Sequence, residues 1–282
     1  MDIIKGARQV KHILKEALQL DPQMRPAFLQ RHSIDIHQLL LVIGNPDPEL
    51  RDALAFRIFV ESLYAKNWSQ NELNEVVKRL ISNDYLFFNI GEVGKDSIYT
   101  RSFSALWLSY LIKVDTQHPY LSDQECKGVF DKIATYLMRE YDTRGLVENE
   151  GWANAVTHGA DLYISCISHP HFEMRFVPQF LQGISKSIWA GNVFVDDEEQ
   201  RLAEVIKLLH TIDYPEDVLV EWMEQLFDKL EYHLYERGYT RDYFKAKTNS
   251  IHLMQAIYFK LKFAKIYPKV QSVSSFFIAK FM

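Results

Sequence analysis

Apolar residues along this chain are spaced as in amphipathic helices. Near the start, Ala7, Val10, Ile13 and Leu14 fall on one face, as the 3.6-residue helical period requires. Later segments show the same spacing. Alternation typical of a strand is short and confined to "YLFFNI" at 85–90. The pattern predicts an all-α fold.

Helix ends are marked by local signals. Ser69 with Glu72, and Ser122 with Glu125, have the spacing of capping boxes, in which each side chain bonds to the other residue's backbone amide. Another helix is predicted within 215–238, where proline opens the segment and glycine closes it.

A pattern of aspartate followed by arginine recurs at helix starts. The pairs are Asp47 with Arg51, Asp96 with Arg101, and Asp196 with Arg201. Predicted helix starts at 47, 96, 151, 196 and 240 recur every 44 to 55 residues, slightly longer than a two-helix repeat of about 40–47. We predict a HEAT/armadillo-like right-handed α-α superhelix of about five helix pairs. Each arginine could pair with the aspartate of a neighbouring repeat, and a non-repeating helical bundle is the alternative.

The predicted organisation is one domain over 1–282. It comprises N-terminal capping helices in 1–33, central repeats in 34–238, and a basic C-terminal helix with an apolar tail in 239–282. A composition of 48% hydrophobic and 24% charged residues is that of a chain able to bury a core.

The chain also shows features of a cytoplasmic protein. Cys126 and Cys166 have no spacing typical of a zinc site or a disulfide framework. The N-terminus lacks the apolar region of a signal peptide, and no run approaches the roughly 18 apolar residues of a membrane span. We predict a cytoplasmic location, no membrane span and no cofactor.

Charge is divided between two C-terminal regions. Residues 191–238 hold thirteen acidic and four basic residues, a net of −9, and residues 239–282 hold eight basic and one acidic, a net of +7. Attraction between neighbouring helices is the favoured explanation. The alternative is an anionic partner, including nucleic acid, on the basic helix that carries Lys245, Lys247, Lys260, Lys262 and Lys265. Nucleic acid is least favoured, because the whole chain has a net charge of −5.

The stretch "EYDTRGLVENEGWANAVTHGADLY" at 140–163 concentrates chemically reactive residues. If a helix begins at Trp152, then Asn154, His158 and Asp161 form one polar stripe on it. In a superhelix such second helices line the concave surface, where partners bind.

Two interpretations of this stretch remain open. In one, Asp161 orients His158 as a general base, or both residues bind a metal; Glu140 and Asp142 add acid groups, and Arg144 holds an anion. In the other, the same groups satisfy the buried polar ends of two helices.

Two motifs, "RSFSALWL" at 101–108 and "REYDTRGLVENEGWANAVTHGADL" at 139–162, resemble a bacterial family catalogued as domain of unknown function 2785. The resemblance extends over about 45 to 235 and implies no established reaction. The family motif has a histidine where this chain has Asn154. Two such histidines beside the aspartate would suit a metal, but asparagine is a poor transition-metal ligand, so no metal site is predicted.

The function predicted from the sequence is a binding or scaffold module that recognises a peptide or a small anionic ligand in its concave groove. The groove residues would be Arg101, Glu140, Asp142, Arg144, Trp152, Asn154, His158 and Asp161. The alternative is a hydrolase-type enzyme that uses His158 and Asp161, with Arg144 stabilising negative charge.

Overall fold

A computed structural model describes residues 2–281, with side chains described from residue 6 onwards. The all-α prediction is confirmed. The helices are α1 (Asp2–Gln19), α2 (Arg25–Arg31), α3 (Ile36–Leu40), α4 (Arg57–Tyr64), α5 (Gln70–Leu80), α6 (Ser97–Gln117), α7 (Asp123–Ala134), α8 (Tyr136–Arg139), α9 (Ala155–Ile167), α10 (Val177–Trp189), α11 (Glu198–Leu208), α12 (Glu216–Arg237), α13 (Arg241–Ala264) and α14 (Pro268–Phe281). Met1 and Met282, the ends of the predicted domain, lie outside the described residues.

Shorter elements join these helices. A π-helical segment, Glu49–Phe56, leads into α4, and 3₁₀ turns at Met174–Phe176 and Leu209–Ile212 precede α10 and follow α11. Two strands, β1 (Leu146–Val147) and β2 (Gly151–Trp152), pair antiparallel between α8 and α9.

Both predicted capping boxes are confirmed. The Ser69 hydroxyl accepts a hydrogen bond from the Glu72 amide and the Glu72 carboxylate accepts one from the Ser69 amide, and Ser122 with Glu125 repeats the pattern. Helix α12 begins after Pro215 and ends before Gly238, as predicted. Local hydrogen bonding at the termini therefore determines where these helices begin and end.

Two local predictions were wrong. "YLFFNI" at 85–90 forms consecutive turns, because its amides bond back to carbonyls of nearby residues, such as Leu86 to Leu80. Trp152 lies in β2 and begins no helix. Asn154 has a φ of 52°, which is left-handed and incompatible with a helical turn, so α9 begins at Ala155.

Alternate helices pack side by side in chain order. Helix α4 packs on α6, α6 on α9, α9 on α11, and α11 on α13. The intervening helices form contacts of their own, α8 with α10 and α10 with α13, while the Trp222 indole of α12 donates to the Leu181 carbonyl of α10. One apolar cluster runs from Ile13 to Phe277. The segments that precede α6, α9 and α11 lie close together, since the Gly94 amide bonds to Asp142 and the Leu146 amide bonds to Asp196.

The apolar C-terminal segment forms α14, which packs on α12 and α13. Phe277 stacks on Phe227 of α12 with ring centroids 3.6 Å apart. Ion pairs also join basic and acidic helices, including Lys260 with Glu204 and Lys280 with Glu231. Among the described residues, no helix combines the length and apolar character that crossing a lipid bilayer requires.

Candidate functional site

The loop between α8 and α9, residues 140–154, is the meeting point of several helix starts. Arg51 donates to the Glu150 carbonyl at 2.8 Å, and the Tyr99 hydroxyl donates to the Glu150 carboxylate at 2.6 Å. The Asp196 carboxylate accepts from the Leu146 amide at 3.0 Å. The residues that recur at helix starts therefore hold this loop against one edge of the helix row.

The predicted ladder between helix-start aspartates and neighbouring arginines was wrong. The arginines have other carboxylate partners: Arg51 pairs with Asp52, Arg101 with Glu140, and Arg201 with Asp161. Arg51 and Arg101 point into the edge of the row. There Arg51 donates to a loop carbonyl and Arg101 donates to a loop carboxylate.

Arg101 lies wholly within the protein, with 0% of its surface exposed. Its Nε donates to Glu140 Oε2 at 2.6 Å and one terminal nitrogen donates to Oε1 at 3.0 Å. The guanidinium also donates to the Ser97 hydroxyl and to three carbonyls, those of Phe88, Asn89 and Glu92. In this arrangement every guanidinium nitrogen is engaged, so none is left for a ligand.

Glu140, the partner of Arg101, starts the loop. Its carboxylate also accepts from the amides of Tyr141 and Asp142, each at 3.0 Å. Burial raises the pKa of the Glu140 carboxyl, and the hydrogen bonds from Arg101 oppose this shift. The pair is a buried, bidentate ion pair that fixes the loop to α6.

Asp142 and Arg144 pair within the loop. Arg144 donates to the Asp142 carboxylate from Nε at 2.9 Å and from a terminal nitrogen at 2.8 Å. Asp142 also accepts from the Gly94 amide, and Arg144 donates to the Lys95 carbonyl, both at 2.8 Å. The pair neutralises its own charge and ties the loop to the turn before α6.

His158 and Asp161 do not hydrogen-bond to each other among the described residues. The His158 ring is buried, contacts Phe103 edge to face, and approaches Ser102 through Nδ1. Asp161 pairs with Arg201 at 3.3 Å. Burial lowers the pKa of His158 to about 4 and raises that of Asp161. The carboxylate therefore does not orient the imidazole, as a general base would require.

Ser102, which lies in the "RSFSALWL" motif without the glycines of a nucleophile elbow, is the neighbour of His158. His158 Nδ1 lies 3.1 Å from both the Ser102 hydroxyl and the Ser102 carbonyl. The Ser102 hydroxyl donates to the Ala153 carbonyl. Because that proton is directed at a carbonyl, the imidazole does not activate the hydroxyl as a nucleophile.

Trp152 and Asn154 flank Ala153, and Asn154 is the last residue before α9. Trp152 is 41% exposed in β2. The Asn154 side-chain oxygen is buried and has no hydrogen-bond partner among the described residues. Trp152 is therefore available for contact with a partner. The left-handed backbone of Asn154 fixes the point at which α9 begins.

One group of three possible metal ligands occurs in the described part of the chain, formed by Asp115, Cys126 and His169. Asp115 accepts from His169 Nε2 at 2.9 Å and from the Cys126 thiol at 3.7 Å. His169 Nδ1 accepts from the His171 amide, which leaves the ring proton on Nε2, directed at Asp115. This proton arrangement is that of a buried hydrogen-bonded network. Both cysteines are buried and free.

Strands β1 and β2 form a hairpin. An open cleft of 310 Å³ lies beside it, between residues 143–148 and 192–198. Three apolar side chains on its rim are exposed: Leu146 at 60%, Val193 at 37% and Val195 at 77%. Glu148, Asp196 and Glu198 line the same cleft. Of these, Asp196 and Glu198 accept backbone hydrogen bonds, while Glu148 is exposed.

Sequence reasoning missed the 192–198 side of this cleft. The segment "NVFVDDE" reads as a connection before a helix, and its exposed valines are separated from the hairpin by about fifty residues of sequence. One residue of this segment, Asp196, did stand out in the sequence, because it belongs to the recurring helix-start pattern.

Gly151 gives the first test of the hairpin. Its φ is 74°, and an added Cβ would lie 2.7 Å from Pro48 Cβ and 3.3 Å from an Arg51 nitrogen. We expect Gly151→Ala to lower the free energy of unfolding by about 1–3 kcal/mol, measured by urea unfolding. Gly238→Ala is the control, because Gly238 has a φ of 66° with no atom within 4 Å of an added Cβ. Equal losses in the two variants would contradict a steric role for the hairpin contact.

Comparison with known proteins adds a family. No curated protein and no solved structure gives a significant match to the chain. The family model described as "Protein of unknown function (DUF2785)" matches residues 86–259, more than half of the 282 residues. The matched region contains the loop, both strands and the helices of the row from α6 to α11. The chain belongs to this family.

Proposed function

We propose that this protein is a HEAT/armadillo-like helical-repeat module that binds a peptide segment in the cleft beside the hairpin. The packing of α4, α6, α9, α11 and α13 in chain order supports a repeat architecture. Loops at one edge of such an array carry binding residues on a rigid scaffold.

The observation that carries the proposal is the set of exposed apolar side chains around the hairpin cleft. Leu146, Val193 and Val195 project from loops that are fixed by ion pairs and backbone hydrogen bonds. Exposed apolar residues grouped around a cleft are typical of a protein-interaction surface. Fixed walls also lower the entropic cost of binding.

The charge of the cleft favours a basic peptide over an anionic ligand. Arg144, the basic residue that lines the cleft, is neutralised by Asp142, and Arg101 is buried against Glu140. Glu148 is exposed and has no ion-pair or hydrogen-bond partner among the described side chains. The partner would therefore place apolar residues on Leu146 and Val195 and a basic residue near Glu148.

The test is peptide selection from a random displayed library, followed by fluorescence titration with synthetic peptides. We expect selected peptides to combine leucine or valine with lysine or arginine. Leu146→Ser together with Val195→Ser is expected to weaken binding about tenfold or more. Leu41→Ser, at a residue 68% exposed and away from the cleft, is the matched control.

A charge reversal tests the second half of the proposal. Glu148→Lys should shift the preference towards peptides in which glutamate replaces lysine. Selection of no apolar-basic class, or binding that the cleft variants leave unchanged, would rule out the proposed site.

A further inference from the structure

The C-terminal end of α13 exposes an aromatic and basic patch, formed by Phe259, Lys262, Phe263 and Lys265. Phe259 is 51% exposed and Phe263 is 81% exposed. Their rings stack with centroids 6.4 Å apart, as expected of residues one helical turn apart. Both lysines are exposed, and Lys265 ends the helix with a φ of 59°.

The surrounding sequence is strongly basic. Residues 243–282 contain seven lysines and no acidic residue. Several of these lysines are neutralised by acidic helices, namely Lys260 by Glu204, Lys269 by Asp217 and Lys280 by Glu231. The attraction between oppositely charged helices therefore accounts for part of the basic region.

The lysines of the patch are not part of this pairing. Lys262 donates to the Tyr258 hydroxyl at 3.1 Å, and neither Lys262 nor Lys265 has a carboxylate within 4.0 Å among the described residues. A groove of 540 Å³ between α11 and α13 adjoins the two phenylalanines, and Glu199 is the acidic residue that lines it. The patch therefore keeps two unneutralised cations beside two exposed rings.

We propose that this patch binds the surface of an anionic lipid bilayer. Phenyl rings have no hydrogen-bonding groups, so they gain by entering the boundary between headgroups and acyl chains. Lysine ammonium groups on flexible stems reach anionic headgroups from the same position. The charge of the patch is complementary to an acidic membrane, although the chain as a whole has a net charge of −5.

The same observations favour a bilayer over a nucleic acid. Tight nucleic-acid binding needs several phosphate contacts, and this patch offers two unpaired lysines and no arginine. The most exposed groups are the apolar rings, and a bilayer interface accommodates these directly.

The experiment is flotation of the purified full-length protein with vesicles. We expect binding to phosphatidylcholine vesicles that contain about a third phosphatidylserine, and binding about thirtyfold weaker to phosphatidylcholine alone. Lys262→Glu together with Lys265→Glu should weaken binding about thirtyfold or more, from about 1 kcal/mol per lysine. Phe259→Ser together with Phe263→Ser should abolish flotation.

Two controls use the same helix. Phe244→Ser alters a phenylalanine that is 52% exposed near the other end of α13, and Lys247→Glu alters a lysine outside the patch. Both should float as wild type, and thermal unfolding checks that every variant folds. Absence of flotation at low salt would overturn the proposal, as would equal losses in the control variants. Binding to labelled DNA without binding to vesicles would overturn it in favour of a nucleic acid.

Discussion

Replacing Arg101 with methionine is expected to lower the free energy of unfolding by about 3–5 kcal/mol, because Glu140 would be left charged and buried without its partner. Arg101 is 0% exposed and Glu140 1% exposed, and two hydrogen bonds join them. The loss should appear in urea unfolding as a lower midpoint with an unchanged m-value.

A second variant separates the ion pair from the packing of the side chain. Arg101→Met combined with Glu140→Leu should recover part of the loss, because the buried charge is removed along with its partner. Arg57→Met is the surface control. Arg57 is 56% exposed and pairs with Glu61 one turn away, so its loss should be far smaller. An Arg101→Met protein as stable as wild type would contradict the structural assignment of this pair.

The second large effect is a loss of stability in acid that depends on His158. Burial lowers the pKa of the folded-state imidazole to about 4, against about 6.5 in an unfolded chain. Below pH 6.5 the unfolded state binds a proton that the folded state does not bind. Stability from this group is therefore complete above about pH 6.5 and falls, by about 3 kcal/mol, as the pH is lowered to about 4.

Urea unfolding between these pH values measures this effect. His158→Gln, which does not titrate in this range, should show a shallower decline in unfolding free energy than wild type. Ser165→Ala is the control on the same helix, because it removes a hydrogen bond to the Asp161 carbonyl but no titratable group, and its decline should parallel that of wild type. A His158→Gln curve parallel to wild type would show that the imidazole is accessible to protons in the folded protein.

The elements that sequence reasoning predicted well are those specified by local interactions. The capping boxes at Ser69 and Ser122, and the ends of α12, depend on residues within a turn of each other. The family was also recognisable, because "RSFSALWL" and the 139–162 motif both lie within the matched region.

The candidate site was predicted only in part, because its geometry depends on contacts between distant residues. The stretch from Glu140 to Asp161 was identified, yet the partners of its residues come from elsewhere. Glu140 pairs with Arg101, Asp161 pairs with Arg201, and His158 contacts Ser102. Helical spacing places His158 near Asp161, but it gives no information about which neighbouring helix supplies a stronger partner.

The contact between Arg51 and the hairpin has a consequence for cooperativity. In a repeat array whose units contact only their neighbours, terminal units can unfold while the rest stays folded. Arg51 donates to the carbonyls of Glu150 and Trp152, which lie 99 and 101 residues away along the chain, and in doing so reaches past the start of α6. The first helices of the row are thereby coupled to the hairpin that precedes α9 as well as to α6, so opening the N-terminal unit also disrupts the middle of the protein.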